Sequence, residues 1–133
     1  MDDCIFCKII SGEIPSMKVY EDGDCIGIMD INPATPGHVL VIPRKHYADL
    51  TEMDEATAGR LLMVAKRIGI RQKESLGADG FNVVQNNGRA AGQTVLHFHI
   101  HVIPRYAHGP QMVNWEPTQP TREQLGEICE RLK

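Results

Sequence analysis

Three histidines fall within five residues, as His97-Phe98-His99-Ile100-His101. Side chains alternate faces along an extended chain, so the three imidazoles share one side and Phe98, Ile100 and Val102 share the other. The apolar side predicts packing on a helix. The imidazole side predicts chemistry. A neutral imidazole, with an unperturbed pKa of ~6.5, is a good nucleophile near neutrality. Attack on phosphorus through a covalent intermediate splits one hard displacement into two easier ones. A hydrogen bond from one ring nitrogen to a carbonyl would fix the tautomer and present the other nitrogen. A second histidine on the same face can hold a phosphate or carry a proton. The bland alternative is three histidines on a solvated sheet face, and the segment just before them argues against it. Asn86, Asn87, Gly88, Gly92, Gln93 and Thr94 form a polar loop whose backbone can approach a ligand closely. Bare N–H groups in such a loop suit phosphate oxygens.

The second constellation is Cys4-x-x-Cys7. A redox motif would follow a strand in a βαβ unit, and only three residues precede Cys4. Two other readings are a pair of buried thiols and half of a closed zinc site completed by two histidines. A disulfide framework is disfavoured, because the chain reads as cytoplasmic. Its start, Met1-Asp2-Asp3, is acidic with no signal-peptide pattern, and no apolar run approaches the roughly 20 residues that span a membrane.

The elements that must position these groups follow from pattern. Cys4 to Gly12 reads as a short helix or turn, closed by Gly12. Lys18–Tyr20 and Cys25–Ile31 read as strands joined at Asp22-Gly23, a tight-turn signal. Asn32 to Gly37 is a turn-rich break, and His38–Ile42 is a strand whose ladder ends at Pro43. Asp54 caps a long helix running to about Leu76, with Ala58, Leu61, Leu62, Ala65 and Ile68 as its apolar face and Gly77 as its stop. Phe81–Asn86 and Val95–Ile103 are strands, and Glu123–Leu132 is a short C-terminal helix behind Thr121. Hairpins with one inserted helix predict an antiparallel α+β sheet in one domain over residues 1–133. The 42% hydrophobic and 23% charged content is that of a globular chain. The net charge of -3 excludes a general nucleic-acid binder but leaves room for a small anion held locally.

Three ordered blocks resemble the histidine triad superfamily, and its Hint-type branch of nucleotide-binding phosphoramidate hydrolases most of all. They are Ile5-Phe6-Cys7-Lys8-Ile9-Ile10 with Glu13-Ile14-Pro15, then Gly37-His38-Val39-Leu40-Val41-Ile42-Pro43, then Gly92-Gln93-Thr94-Val95 leading into His97-Phe98-His99-Ile100-His101-Val102-Ile103. The resemblance implies a five-stranded antiparallel sheet with a long helix and a short C-terminal helix, paired into a homodimer. It implies that His99 is the nucleophile, that His101 binds the phosphate, and that His38 completes the cluster. Asp30 would hold the ribose hydroxyls, as a carboxylate accepting two of them can. Asn86, Gly92, Gln93 and Thr94 would surround the phosphate and leaving group. Phe6, Ile9, Ile28 and Ile31, with Ile5, would line a slot for a purine base; plain core is the competing role for each.

The implied reaction is hydrolysis of an adenosine phosphoramidate or a related nucleoside monophosphate conjugate. Bacterial relatives of this kind resemble the chain in pairing Cys4 and Cys7 with a histidine after the Ile-Pro block, here His46, and with the first triad histidine, His97, around a structural zinc. A zinc-bound His97 could not carry protons. Trp115 sits in a segment that matches the family poorly and is left out of the site, and His108 reads as a loop residue. Pro104-Arg105-Tyr106 departs from the eukaryotic Hint pattern toward bacterial members and the dinucleoside-polyphosphate branch, which keeps a polyphosphate leaving group open. A non-catalytic nucleotide-binding or scaffold protein is the reading from another class. No membrane or nucleic-acid partner is expected.

Overall fold

The computed structural model describes residues 3–112 and 115–133; Met1, Asp2, Val113 and Asn114, which include the acidic start and part of the Trp115 segment, lie outside the described residues. Helix α1 (Ile5–Ile10) leads into β1 (Lys18–Glu21), β2 (Cys25–Met29) and β3 (Val39–Pro43). The long α2 (Glu55–Leu76) follows, then β4 (Gly80–Gln85), β5 (Ile100–Arg105) and α3 (Arg122–Leu132). The strands form a five-stranded sheet in the order β1-β2-β3-β5-β4, every neighbouring pair antiparallel. This is the predicted α+β fold.

Local chemistry sets the element ends. Asp54 caps α2 through the Thr57 N–H, and Gly77 ends it in the left-handed region at φ 69°. Thr121 and Gln124 form a reciprocal capping box at the start of α3. The β1–β2 turn differs from expectation. Gly23 is not among the positive-φ residues. The Asp22 carboxylate closes the turn instead, accepting from the Asp24 and Cys25 N–H groups at 2.7 and 2.9 Å.

Helix α2 covers one face of the sheet and α1 part of the other. Leu61, Val64, Ala65 and Ile68 pack with Val41, Phe98, Ile100 and Val102. Phe6 and Ile9 of α1 pack with Ile26, Ile28, Leu40 and Ile42 on the opposite face. Each large aliphatic side chain buried this way contributes about 1.5–3 kcal/mol. Leu62, assigned above to the apolar face of α2, is 55% exposed. The buried arc is instead completed by Gly69 and Gln72.

Gly69 lies flat against Phe81, and a Cβ there would land inside the ring's van der Waals surface. Gly69→Ala gains about 1 kcal/mol of helix propensity but overpacks a ring that is itself seated against the α2 core. The clash wins, and we expect a net loss of about 1–2 kcal/mol in urea unfolding. A stabilised variant would show that Phe81 can retreat.

Strand β5 begins at Ile100, five residues later than the alternation predicts. The lead-in is held by other partners. The Phe98 N–H bonds the Tyr47 carbonyl at 2.7 Å, and Pro43, which would lie opposite Phe98 in the continued register, has no N–H to offer a ladder. The alternation of faces survives without the ladder, because Phe98 stays on the α2 side and Phe6 of α1 meets the rings of His97 and His99.

Candidate active site and metal cluster

The α1 face of the sheet gathers His38, His99 and His101, and hydrogen bonds decide which ring nitrogen of each carries its proton. His99 Nδ1 lies 2.8 Å from the His97 carbonyl. A carbonyl only accepts, so Nδ1 donates and Nε2 keeps a free lone pair. His38 Nδ1 accepts the Ala34 N–H at 3.0 Å. Its proton therefore sits on Nε2, which lies 3.0 Å from His101 Nδ1. His101 Nδ1 is then an acceptor, and its Nε2 carries an N–H. One imidazole thus offers a nucleophilic lone pair and its neighbour two residues on offers a donor, with ring centroids 5.0 Å apart.

Burial keeps these rings neutral. It lowers the His99 pKa against the opposing pull of the His97 carbonyl and Asp30. It pushes His101 down to about 4, helped by His99 and His38. His38 is lowered by burial too, although Asp30 opposes. Asp30 follows β2, with Oδ1 accepting the Asn32 N–H at 2.8 Å and Oδ2 3.5 Å from His38 Nε2.

The loop before the triad turns through Gly88 at φ 90° and Gly92 at φ 94°, backbone conformations that side chains rarely tolerate. Thr94 is exposed, and the N–H groups of Thr94 and Val95 have no hydrogen-bond partner among the described residues. Asn86 is half-buried beside Gly92. Phe6, Ile9 and Ile28 are buried core, with Phe6 edge-on to His99 at 5.0 Å. Ile31 is 90% exposed beyond the end of β2. A cavity of about 980 Å³ between α2 and β1–β3 lies on the other face of the sheet and touches none of the predicted site residues.

Cys4, Cys7, His46 and His97 bring one ligand atom each within 4.8 Å of the others. His97 Nε2 donates to the Pro43 carbonyl at 3.0 Å, which leaves Nδ1 as a lone pair aimed at the cluster. That Nδ1 is 3.3 Å from Cys4 Sγ, 3.6 Å from Cys7 Sγ and 3.1 Å from His46 Nδ1, and Cys7 Sγ is 3.4 Å from His46 Nδ1. A tetrahedral ion with Zn–N near 2.0 Å and Zn–S near 2.3 Å requires ligand separations of roughly 3.3–3.8 Å. The donor set and its spacing fit such an ion. Asp30, His38 and His101 also lie within 4.8 Å of one another, but the Ala34 N–H occupies His38 Nδ1 and forces the proton onto the nitrogen a metal would need.

The profile of the HIT domain family matches residues 11–108. The chain belongs to the histidine triad family. A crystal structure of a Streptococcus mutans protein superposes with a TM-score of 0.93 at 41% identity, covering 99% of this chain and 84% of that one. The adenylylsulfatase HINT3 of Arabidopsis thaliana is 45% identical over 104 residues, 78% of this chain and 53% of that protein. A zinc-bound histidine triad family protein of Mycobacterium smegmatis is 38% identical with a TM-score of 0.81, covering 98% of both chains.

For this histidine triad chain, the depressed imidazoles set the sign of the acid response. Below ~6.5 the unfolded chain takes up protons that the folded rings refuse. Stability should therefore fall as pH drops from ~6.5 toward about 4, where His101 titrates in the fold, and keep falling below that as Asp22, held well below the usual carboxylate range by its hydrogen bonds, is forced to take up a proton. Thermal midpoints between pH 7 and 4.5 measure this, and His101→Gln should reduce the slope. An unchanged slope in the variant would assign it elsewhere. What sequence reading missed is all backbone: the carbonyls of His97 and Pro43 and the N–H of Ala34 carry no residue-type signal.

Proposed function

We propose that the chain is a nucleotide-binding hydrolase that cleaves nucleoside 5′-phosphoramidates or related nucleoside monophosphate conjugates through a nucleotidyl-His99 intermediate. The observation that carries this reading is the tautomer pair: His99 presents an Nε2 lone pair and His101 an Nε2–H on the same face. His99 Nε2 attacks phosphorus, the bond to the leaving amine breaks, and the amine departs with a proton for which His101 Nε2–H is the nearby source. Water then cleaves the P–N bond to His99, its oxygen joining phosphorus and its proton returning to His101 Nε2, which releases the monophosphate and restores both imidazoles. His101, Thr94 and the Gly88–Gly92 loop hold the phosphate, with Asn86 at the loop's edge. Asp30 takes the ribose hydroxyls. The similarity to an adenylylsulfatase supports adenosine monophosphate conjugates as the substrate class. Zinc held by Cys4, Cys7, His46 and His97 ties α1 to the catalytic segment, and a homodimer is the working assembly.

The test is intact mass after mixing with adenosine 5′-phosphoramidate and quenching early without acid, beside a dinucleoside polyphosphate. A nucleotidyl adduct and accumulating AMP support the reading. Faster turnover of the dinucleotide would reassign the leaving group. Tight AMP binding with neither adduct nor product would leave a binding protein.

A further inference from the structure

The sequence groups Gln93 with Asn86 and Thr94 around the phosphate, but the fold gives Gln93 different partners. Its side chain is buried at 3% exposure. Nε2 donates both hydrogens to carbonyls, Ala48 at 2.7 Å and Val95 at 3.0 Å. Oε1 accepts the Gly88 N–H at 2.8 Å, and the Gln93 backbone N–H bonds the Gly88 carbonyl at 3.1 Å. No donor remains for an anion. The amide instead joins three segments: the loop's entry at Gly88, its exit at Val95, and the His46–Leu50 stretch. That stretch is tied to the same loop by the Leu50 N–H on Asn87 Oδ1 at 2.8 Å. Gly88 opens the Arg89–Ala91 turn with no side-chain cap of its own kind, so Gln93 supplies the closure from the far end.

We propose that Gln93 is a positioning residue that closes the Gly88–Gly92 loop and aims the N–H groups of Thr94 and Val95, which are unpartnered among the described residues, without touching substrate. This rests on the reading above that the loop receives the phosphate. Loss of the clamp should act on the phosphate and spare the nucleoside, since Asp30 and the α1 core are held independently. In Gln93→Met, which removes the three side-chain bonds at similar length, AMP affinity should fall by at least about tenfold, as misplaced ligating groups do. Adenosine affinity should stay unchanged. Amide hydrogen exchange over residues 88–95 should accelerate, reporting local opening.

In the wild type, the Gln93 side-chain amide hydrogens should be protected from exchange with or without AMP, and their NMR shifts should barely move on titration. Wild-type AMP affinity in the Met variant would overturn the proposal. So would lost affinity with exchange unchanged, or a large AMP-induced shift of the Gln93 amide, because both mean direct contact. If the Met variant does not fold, the wild-type amide protection and shifts decide alone. A wild type that binds no AMP defeats the functional reading, while the exchange comparison still tests the clamp.

Discussion

His99→Ala should lower kcat for adenosine 5′-phosphoramidate on the order of 10⁴-fold or more while AMP affinity changes only a few-fold. The size follows from the proposed role. Removing a covalent nucleophile deletes the pathway and not one stabilising contact, and losses of this order are usual for such residues. No neighbour can substitute. His101 holds its lone pair toward His38 and its N–H outward, and His97 turns its lone pair away to the cysteine cluster. Binding should survive because the groups assigned to phosphate and ribose are other residues. The one side-chain hydrogen bond that His99 makes among the described residues is to the His97 carbonyl, so its loss releases no other polar group of the site. Steady-state rates, the missing nucleotidyl adduct and AMP titration together measure this. A loss below tenfold would place the attacking atom elsewhere.

Removing the proposed zinc should cost stability more than it alters chemistry. Four protein ligands fill a tetrahedral ion, so no position is left for water or substrate. The ion would bind the folded chain, whose ligands come from α1, the segment after β3 and the triad lead-in. At a free concentration a thousandfold above Kd, such binding contributes about 4 kcal/mol, which at this chain length is roughly 10–20 °C of thermal midpoint. Cys7→Ser, or a strong chelator added to wild type, should show that drop together with loss of bound metal by elemental analysis. His99→Ala should keep its metal. Full metal-free preparations with an unchanged midpoint would favour the buried-thiol reading of Cys4 and Cys7.

Much of this molecule is written in short-range pattern. The alternation from His97 to Val102 needs only the two-residue period of extended chain, so it put the imidazoles and Phe98 on opposite faces even where the β5 ladder is absent. The ends of α2 and α3 were legible because Asp54, Gly77 and Thr121 satisfy terminal backbone groups within three to five residues. Leu62 was misplaced for the converse reason: a helix of 3.6 residues per turn offers several adjacent stripes, and only the sheet it docks on selects one.

The chemistry of the site was decided by tertiary structure. His99, His97 and His38 are the same residue type, yet His99 leaves Nε2 open, His97 turns Nδ1 toward the cysteines, and His38 has both nitrogens engaged, by the Ala34 N–H and by His101. The His97 and Pro43 carbonyls and the Ala34 N–H make that choice. Gln93 reads as one more polar residue in a loop, and becomes a clamp only because Ala48 arrives from 45 residues away. Residue type determines which protons and lone pairs exist. Where each one points depends on backbone groups that every residue carries, and only the folded chain brings those within reach.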